Sequence, residues 1–248
     1  MSKIYALSDI HGYLDILKET MKKVDLSGDN KLIFLGDYID RGPSSKETLE
    51  YIFNLQKQYP EQVIVLKGNH EEMFLEWLAD PNDISYLQTD YDLHTIKTFL
   101  TEKQLADIDK LCNNSKPTTV YDINRIVVQC VRKNNRELIE WVKRLPVYYE
   151  TKKQIFVHAG VDEEAGEYWS YGTENNYYMS KFPPTVGAFY KNIIAGHTGT
   201  SFFANDKNFH DIYFDGKSHY YIDSTVYVSH KLNLLVYDTE TKKYYEEV

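Results

Sequence analysis

The sequence is poor in cysteine. Cys112 and Cys130 are the only two among 248 residues, and they do not form a CxxC pair. So few cysteines, placed far from any Gly-rich turn, do not make the disulfide scaffold that stabilises many small secreted domains. We therefore expect a protein of a reducing compartment, and we interpret it as cytoplasmic.

Long apolar runs and basic runs are also missing. No stretch approaches the roughly 20 apolar residues of a membrane-spanning helix, and the apolar run near the start is too short for a signal peptide. The formal net charge is −9 at pH 7, whereas proteins that grip nucleic acid usually present a basic face. We therefore expect neither a membrane nor a nucleic acid as a partner. A small anionic substrate is compatible with this balance, because it needs only a local positive site.

The first eighty residues alternate short apolar runs with helical patterns. The runs "KIYALSD", "NKLIFLGD" and "QVIVLKGN" are typical of buried strands, and the segments between them carry apolar residues at helical spacing. A βαβαβ order predicts a parallel sheet with both faces covered. The fold class that we expect is therefore α/β.

The rest of the chain changes pattern twice. Residues 83–145 are more polar and mostly helical, and we interpret them as a helical insertion in a single domain that spans residues 1–248. Two apolar strands then return in "QIFVHAG" and "NIIAGHTG". The tail from "HYYIDS" onward alternates residue by residue, which predicts antiparallel strands.

Five of the predicted strands end in side chains that can bind metal ions, each close to a glycine. These side chains are Asp9 and His11, Asp37 and Asp40, Asn69 with His70 and Glu71, His158, and His197. A single histidine after a strand is more often a hydrogen-bonded structural residue than a ligand, and an Asp beside a Gly is an ordinary turn. Because the carboxyl ends of parallel strands share one edge of a sheet, however, we expect this set to converge.

The donor types suggest a particular chemistry. Asp, His and Asn offer oxygen and nitrogen without thiolate, which suits manganese, iron, zinc or a similar ion. Six or seven such residues are too many for one catalytic ion and suit two. Two ions roughly 3.5–4 Å apart can clamp the attacking and leaving oxygens of a displacement at phosphorus and activate a bridging water. The pattern therefore predicts a hydrolase of phosphate esters.

The motifs "SDIHG", "GDYIDRG", "GNHE", "HAG" and "GHT", in this order and spacing, resemble the phosphoprotein phosphatase branch of the calcineurin-like metallophosphoesterases. The likeness is strongest to the small bacterial and phage serine/threonine phosphatases, and it covers nearly the whole chain. It implies the family's four-layer α/β/β/α architecture, a β-sandwich with flanking helices. It also implies two divalent metal ions, for which we expect manganese, with iron or zinc as alternatives.

The resemblance implies a role for each matching residue. The positions of metal ligands are Asp9, His11, Asp37, Asn69, His158 and His197, with Asp37 bridging both ions. His70 matches the general acid that protonates the leaving oxygen, and Asp40 would orient it. Arg41 would hold the phosphate oxygens, and Asn69 would also face the substrate. Glu71 and Glu72 are interpreted as charges at a helix start.

Two features leave room for other interpretations. The family places a second phosphate-binding Arg after "HAG", where this sequence offers Lys181, either as its replacement or as a solvated surface residue. The Tyr-rich segment "EYWSYGTENNYYMSKFPP" either flanks a substrate ring or packs onto the sheet, and packing is favoured. We expect a monomer or weak oligomer.

Three functions follow in order of preference. The first is a di-metal phosphomonoesterase acting on phosphorylated serine and threonine, or also tyrosine, in proteins. The second keeps the site but hydrolyses dinucleoside polyphosphates symmetrically. The third is a non-catalytic scaffold that binds metals, and the complete set of motifs speaks against it.

Overall fold

A computed structural model describes residues 2–90, 93–113 and 118–247 of the chain. Its ten strands in these ranges are β1 (Lys3–Leu7), β2 (Lys31–Phe34), β3 (Val63–Val65), β4 (Tyr148–Glu150), β5 (Gln154–Val157), β6 (Asn192–Ala195), β7 (Tyr213–Phe214), β8 (His219–Tyr221), β9 (Leu235–Asp238) and β10 (Lys243–Glu246). They form two five-stranded sheets, in the orders β10-β9-β1-β2-β3 and β4-β5-β6-β8-β7.

Parallel pairs make up one side of the first sheet and the middle of the second. In the first sheet β1 pairs with β2 and β2 with β3, and in the second β5 pairs with β6 and β6 with β8. The carboxyl ends of the three predicted βαβαβ strands therefore lie at one edge, as the alternation of strand and helix predicts.

The tail differs from its prediction. β9 and β10 form the expected antiparallel pair with a turn between them. β8 lies in the other sheet, where it pairs antiparallel with β7 on one side but parallel with β6 on the other. The segment "VYVS" after β8 is a short helix. Alternating burial is common to parallel and antiparallel strands, so the residue pattern could not identify the partner of β8.

Helices cover both sheets on their outer faces. In the described ranges the α-helices are α1 (Leu14–Met21), α2 (Ser45–Gln58), α3 (Asn69–Ala79), α4 (Tyr86–Thr89), α5 (His94–Thr98), α6 (Glu102–Cys112), α7 (Val120–Asn134), α8 (Arg136–Lys143), α9 (Trp169–Gly172), α10 (Asn175–Ser180), α11 (Thr200–Ala204) and α12 (Val226–Ser229). None of them is long and apolar enough to cross a membrane.

The strands send alternate side chains into different apolar layers. Ile33 of β2 and Ile194 of β6 belong to a layer between the two sheets, whereas Phe34 packs under the helices of the first sheet and Ile193 under those of the second. This alternation is the period of two that a strand imposes. It produces four layers, helices–sheet–sheet–helices, which confirms the predicted fold class.

The segment interpreted as an insertion carries helices α4 to α8, with residues 91–92 and 114–117 outside the described ranges. Buried side chains of this segment, such as Tyr86, Ile96 and Val128, share one apolar cluster with β1 and β2. The segment thus packs onto the first sheet instead of enclosing a core of its own.

Candidate active site

The strand ends meet in one polar cleft of about 310 Å³. Seven predicted site residues line it, namely Asp9, His11, Asp37, Arg41, Asn69, His70 and His197. The other two, Asp40 and His158, lie directly behind it and are fully buried. The structure therefore brings together all the residues that the motifs single out.

The backbone at these strand ends is unusual. Asp9, His11, Asp37, Asp40, Arg41 and His197 all have φ between 48° and 69°. A left-handed backbone is uncommon for residues other than glycine, and such positions cluster at functional sites. Gly68 shows why the loops need glycine, because a Cβ there would collide with the Asp37 carboxylate. The loops are thus packed backbone against backbone, and the Gly-flanked motifs reflect that close approach.

Asp37 lies at the centre of two groups of potential ligand atoms. Its Oδ2 lies 3.8 Å from the Nε2 atoms of both His11 and His70. The same oxygen lies 3.3 Å from Nε2 of His158. In each group, His11–Asp37–His70 and Asp37–His158–His197, the candidate donor atoms lie within 4.8 Å of one another. Asp37 is the member that the two groups share.

Asn69 and Asp9 complete the arrangement. Oδ1 of Asn69 lies 3.0 Å from both Nε2 of His158 and Nδ1 of His197. The carboxylate of Asp9 accepts the backbone N–H of His197 at 3.0 Å. Burial and the charge of Asp37 raise the pKa of Asp9 to about 6, although the charge of His158 opposes them. Because the carboxylates of Asp9 and Asp37 repel each other, they need positive charges nearby if both are to be ionised.

Hydrogen bonds behind the site orient the histidine rings. Nδ1 of His11 donates to the carbonyl of Ile39 at 2.8 Å, and Nδ1 of His158 donates to the carbonyl of Leu35 at 3.1 Å. A ring fixed in this way turns Nε2 toward Asp37 as the ligand atom, which is the arrangement of metal-binding histidines. The oxygen and nitrogen donors present here therefore fit divalent metal ions.

His70 belongs to a hydrogen-bonded chain. Its Nδ1 donates to Oδ2 of Asp40 at 2.6 Å, and the Tyr86 hydroxyl donates to Oδ1 of the same carboxylate at 2.6 Å. Burial would lower the pKa of His70, but the charge of Asp37 and the bond to Asp40 raise it to about 9. In the metal-free protein, these interactions favour the protonated ring at neutral pH. Tyr86 belongs to the helical segment and has no motif that could have revealed it.

Glu71 has a role beyond the one expected. It is fully buried, and its carboxylate accepts the backbone N–H groups of Gly68, Asp37, Tyr38 and Ile39 at 2.8–3.3 Å. It lies in the first turn of α3, as expected, and it also ties two strand-end loops together. Burial, and then the charge of Asp37, raise its pKa to about 7. Glu72 is half-exposed and pairs with Lys67 at 2.9 Å.

Asp223 and Tyr227 are among the cleft residues that the sequence analysis missed. Asp223 lines the cleft and is nearly buried, and burial together with the charge of Asp9 raises its pKa well above the usual value. Tyr227 lies with its ring 4.5 Å from the guanidinium carbon of Arg41. Both follow β8 in the stretch "IDSTVY". If β8 had been assigned to the parallel part of the second sheet, its carboxyl end would have been expected at the edge where the cleft lies, and these residues with it.

Lys181 does not reach the cleft. Its ammonium group pairs with Glu163 and donates to the carbonyl of Val161 at 2.7 Å, and it lines a separate cavity. Because it lies away from the cleft, it is not a second phosphate-binding cation in this structure. Because it is only 4% exposed, it is not a solvated surface residue either. In the Tyr-rich segment, Trp169 and Tyr178 are core residues, which is the packing that we favoured. Tyr168, Tyr171 and Tyr177 are exposed instead, and they do not line the cleft.

Comparison with known proteins agrees with this geometry. Residues 2–201 match the family model described as calcineurin-like phosphoesterase. The chain belongs to this family. A curated relative, the serine/threonine-protein phosphatase 6 catalytic subunit of Caenorhabditis elegans, is 41% identical over 70 residues. That match covers 28% of this chain and only 21% of the relative.

Solved structures share the fold across nearly the whole chain. A cold-active protein-tyrosine phosphatase of a psychrophilic Shewanella superposes with a TM-score of 0.56 at 17% identity, covering 98% of this chain and 80% of that one. A candidate diadenosine tetraphosphatase gives 0.54 at 14% identity, with coverages of 99% and 92%. A serine/threonine phosphatase of Saccharomyces cerevisiae, similar to human PP5, gives 0.51 at 14%, with coverages of 100% and 80%. At these identities the likeness shows the fold alone.

The family match confirms the identification as a calcineurin-like metallophosphoesterase, and the short match to the phosphatase 6 relative agrees with the phosphoprotein phosphatase branch. They also support the predicted enzyme class, a hydrolase of phosphate esters. Family membership implies divalent metal ions, and the His/Asp groups around Asp37 provide donors for them.

Glu71→Gln should loosen the loops that carry the metal-binding groups. The amide nitrogen of Gln would face backbone N–H groups, so we expect a loss of about 3 kcal/mol in the free energy of unfolding. We also expect metal affinity to fall roughly 10–100-fold, as for other residues that support ligands. Urea unfolding and metal titration measure the two effects. Glu72→Gln is the matched control, because this half-exposed side chain makes one ion pair and no bond to the strand-end loops, so we expect a loss of about 1 kcal/mol or less. Equal effects of both substitutions would contradict the role of Glu71.

Metal binding should release a proton from His158. Although burial lowers its pKa, the charge and hydrogen bond of Asp37 raise it to about 9, so below pH 9 its Nε2 carries a proton in the metal-free protein. A metal ion must displace that proton, so apparent affinity should rise with pH by about tenfold per unit until pH 9. Calorimetric titrations at pH 7.5, in buffers of different ionisation enthalpy, should report about one proton released. Binding heats that do not depend on the buffer would contradict this assignment.

Proposed function

We propose that this protein is a di-metal-dependent phosphomonoesterase that hydrolyses phosphoserine and phosphothreonine in proteins. The observation that carries the proposal is the Asp37 carboxylate, which lies close to the candidate ligand atoms of His11 and of the pair His158–His197. The same cleft presents Arg41 and His70, and His70, although also near Asp37, is held by Asp40 as a proton donor. The serine/threonine phosphatase relative supports the substrate class, although it matches over only 70 residues.

The proposed ligands are the six residues that the motifs indicate. Asp9, His11 and Asp37 would hold one ion, and Asp37, Asn69, His158 and His197 the other. When bound, the ions would supply Lewis acidity and a nucleophilic oxygen derived from water. Manganese is the ion that we propose, and iron or zinc would suit the same mixed donors.

Arg41 is proposed to bind the phosphate group. Among the described residues that line the cleft, it alone has a permanent positive charge, and it is exposed there. A guanidinium group can bond two phosphate oxygens at once and neutralise the charge that develops on them. Asn69 would assist through its amide N–H, since its oxygen faces the two histidines.

His70 is proposed as the general acid. Its Nε2 faces Asp37 and the cleft, while Nδ1 is held by Asp40, whose negative charge raises the pKa of the ring. Tyr86 fixes the second oxygen of Asp40, so that the carboxylate cannot rotate away from the ring. The ring can therefore deliver its Nε2 proton to the leaving oxygen of the substrate.

The setting that we propose is the cytoplasm, with the protein as a monomer or weak oligomer. Both cysteines are free, and Cys112 is exposed, which suits a reducing compartment.

Asp37→Asn and His158→Asn should each abolish metal-dependent turnover. The assay is a panel of phosphoserine, phosphothreonine and phosphotyrosine peptides and diadenosine tetraphosphate, each with manganese, iron or zinc. Preferred turnover of the dinucleotide would favour the polyphosphate hydrolase instead. Binding of two metals without hydrolysis of any ester would favour the scaffold, and near-normal rates in both variants would refute the di-metal site.

His70→Asn should slow esters with poor leaving groups most. We expect a loss of about 10²–10⁴-fold with an alkyl phosphate, and a loss below about tenfold with 4-nitrophenyl phosphate, whose leaving group needs little protonation. His230→Asn is the control, since His230 is exposed and has a backbone φ of 54° that Asn tolerates. Equal slowing of both esters would count against the general acid.

A further inference from the structure

Two hydroxyl groups hold the backbone just before the residue proposed to bind phosphate. The N–H of Asp40 donates to Oγ of Ser45 and to Oγ1 of Thr95, each at 3.0 Å. The two hydroxyl oxygens lie 2.8 Å apart and share a further hydrogen bond. Both side chains are fully buried, so water does not compete for these groups.

The N–H group that they hold belongs to a turn with an unfavourable backbone. Asp40 and Arg41 are consecutive residues with φ of 69° and 68°. Residues other than glycine disfavour this left-handed conformation, which persists only where the surroundings hold it. After the turn, the N–H of Gly42 donates to the carbonyl of His11 at 2.9 Å. The turn is therefore held on both sides, by the two hydroxyls before Arg41 and by the loop of His11 after it.

Thr95 comes from the helical segment that we interpreted as an insertion. It lies in the first turn of α5, where the buried carboxylate of Asp90 accepts the N–H groups of Thr95 at 2.9 Å and of Ile96 at 3.0 Å. Ser45 instead begins α2. Two helices from different parts of the chain thus meet at the backbone N–H of Asp40.

The contact with Thr95 is separate from the chain of groups that holds the proposed general acid. His70 and Tyr86 bond the two side-chain oxygens of Asp40, whereas Thr95 bonds its backbone. Thr95 therefore acts on the direction in which the chain leaves Asp40. The next residue is Arg41, which is exposed and lines the cleft. A shift of the turn would thus move the guanidinium away from the place of the phosphate.

We propose that Thr95 and Ser45 are positioning residues for phosphate binding, because together they fix the left-handed turn from which Arg41 reaches the cleft. This inference rests on the proposed role of Arg41. A guanidinium bonds two phosphate oxygens at once only in a narrow range of orientations, so a small change in the turn weakens both bonds. The helical segment thus contributes to substrate binding, although its described residues do not line the cleft.

The test measures the affinity of the manganese-loaded protein for inorganic phosphate by calorimetry. Thr95→Val keeps the shape of the side chain but removes the hydroxyl, and we expect phosphate to bind about 3- to 10-fold more weakly, the effect of one neutral hydrogen bond. Thr95→Ser keeps the hydroxyl and should bind phosphate nearly as tightly as the wild type. Ser45→Ala, which removes the other acceptor, should give a loss similar to that of Thr95→Val and replaces it if that variant does not fold.

A double-mutant cycle shows whether the effect passes through Arg41. Arg41→Ala should weaken phosphate binding by about 10- to 100-fold, the effect of losing a charge-assisted hydrogen bond. In that background Thr95→Val should add less than about a twofold loss, because its contribution has already been removed. Additive losses, equal losses in Thr95→Ser and Thr95→Val, or normal phosphate binding by Arg41→Ala would each overturn the proposal.

Thr98→Val is the matched control. This threonine lies one turn further along α5, and its hydroxyl accepts the N–H of Lys46 at 3.2 Å instead of that of Asp40. The substitution should leave phosphate affinity unchanged. A loss equal to that of Thr95→Val would indicate a general effect of α5 packing and would contradict the role assigned to Thr95.

Binding and turnover separate this inference from the proposed function. Calorimetry measures phosphate affinity whether or not the protein hydrolyses an ester. The expected losses of affinity in a protein that hydrolyses no phosphate ester would overturn only the enzymatic proposal. Hydrolysis of a phosphoserine peptide, with a phosphate affinity that neither Thr95→Val nor Ser45→Ala changes, would overturn only the role of the two hydroxyls.

Discussion

The buried charge of Asp37 is the constraint on which the rest of the site depends. Its side chain is 3% exposed, and an isolated carboxylate in such a place would be strongly destabilising. Although burial raises the pKa of Asp37, the charges of His158 and His70 hold it well below the usual value. The same attraction raises the pKa of both histidines. In the metal-free protein, therefore, protons on these rings supply the positive charge beside Asp37 that bound metal ions can supply instead.

Holding these groups together requires a backbone that most residues avoid. The left-handed conformations at Asp9, His11 and Asp37 each cost of order 1–3 kcal/mol and persist only where the surroundings enforce them. Glu71 supplies much of that enforcement, because one buried carboxylate holds the N–H groups of successive residues in the loop after β2 and reaches the loop after β3 as well. The site thus depends on a charged residue that contacts neither the cleft nor a proposed ligand side chain.

The sequence predicted the parts of the structure that follow from strand topology. Asp37, His158 and His197 are far apart along the chain, but parallel strands present their carboxyl ends at one edge, so their convergence could be inferred. Tyr86 could not be found in this way, since it lies 46 residues from Asp40 in a helical segment with no motif. The parallel pairing of β8 was also out of reach, and with it the position of Asp223, because alternation does not specify a partner strand.

Lys181 shows why spacing alone does not assign a role. Its position along the chain matches a phosphate-binding Arg of the family, but Glu163 lies close enough to capture the ammonium group, and Gly160 leaves room for its side chain beneath the loop after β5. If Lys181 left this pair, Glu163 would lose a partner in a poorly solvated position, and this cost opposes any movement of Lys181 toward the cleft.

Among the described residues of the cleft, Arg41 then remains the permanent cation that can neutralise a phosphate. Its guanidinium lies over the ring of Tyr227, which restricts its motion without using its hydrogen-bond donors. The ring of Tyr227 therefore helps to position this cation beside the cleft.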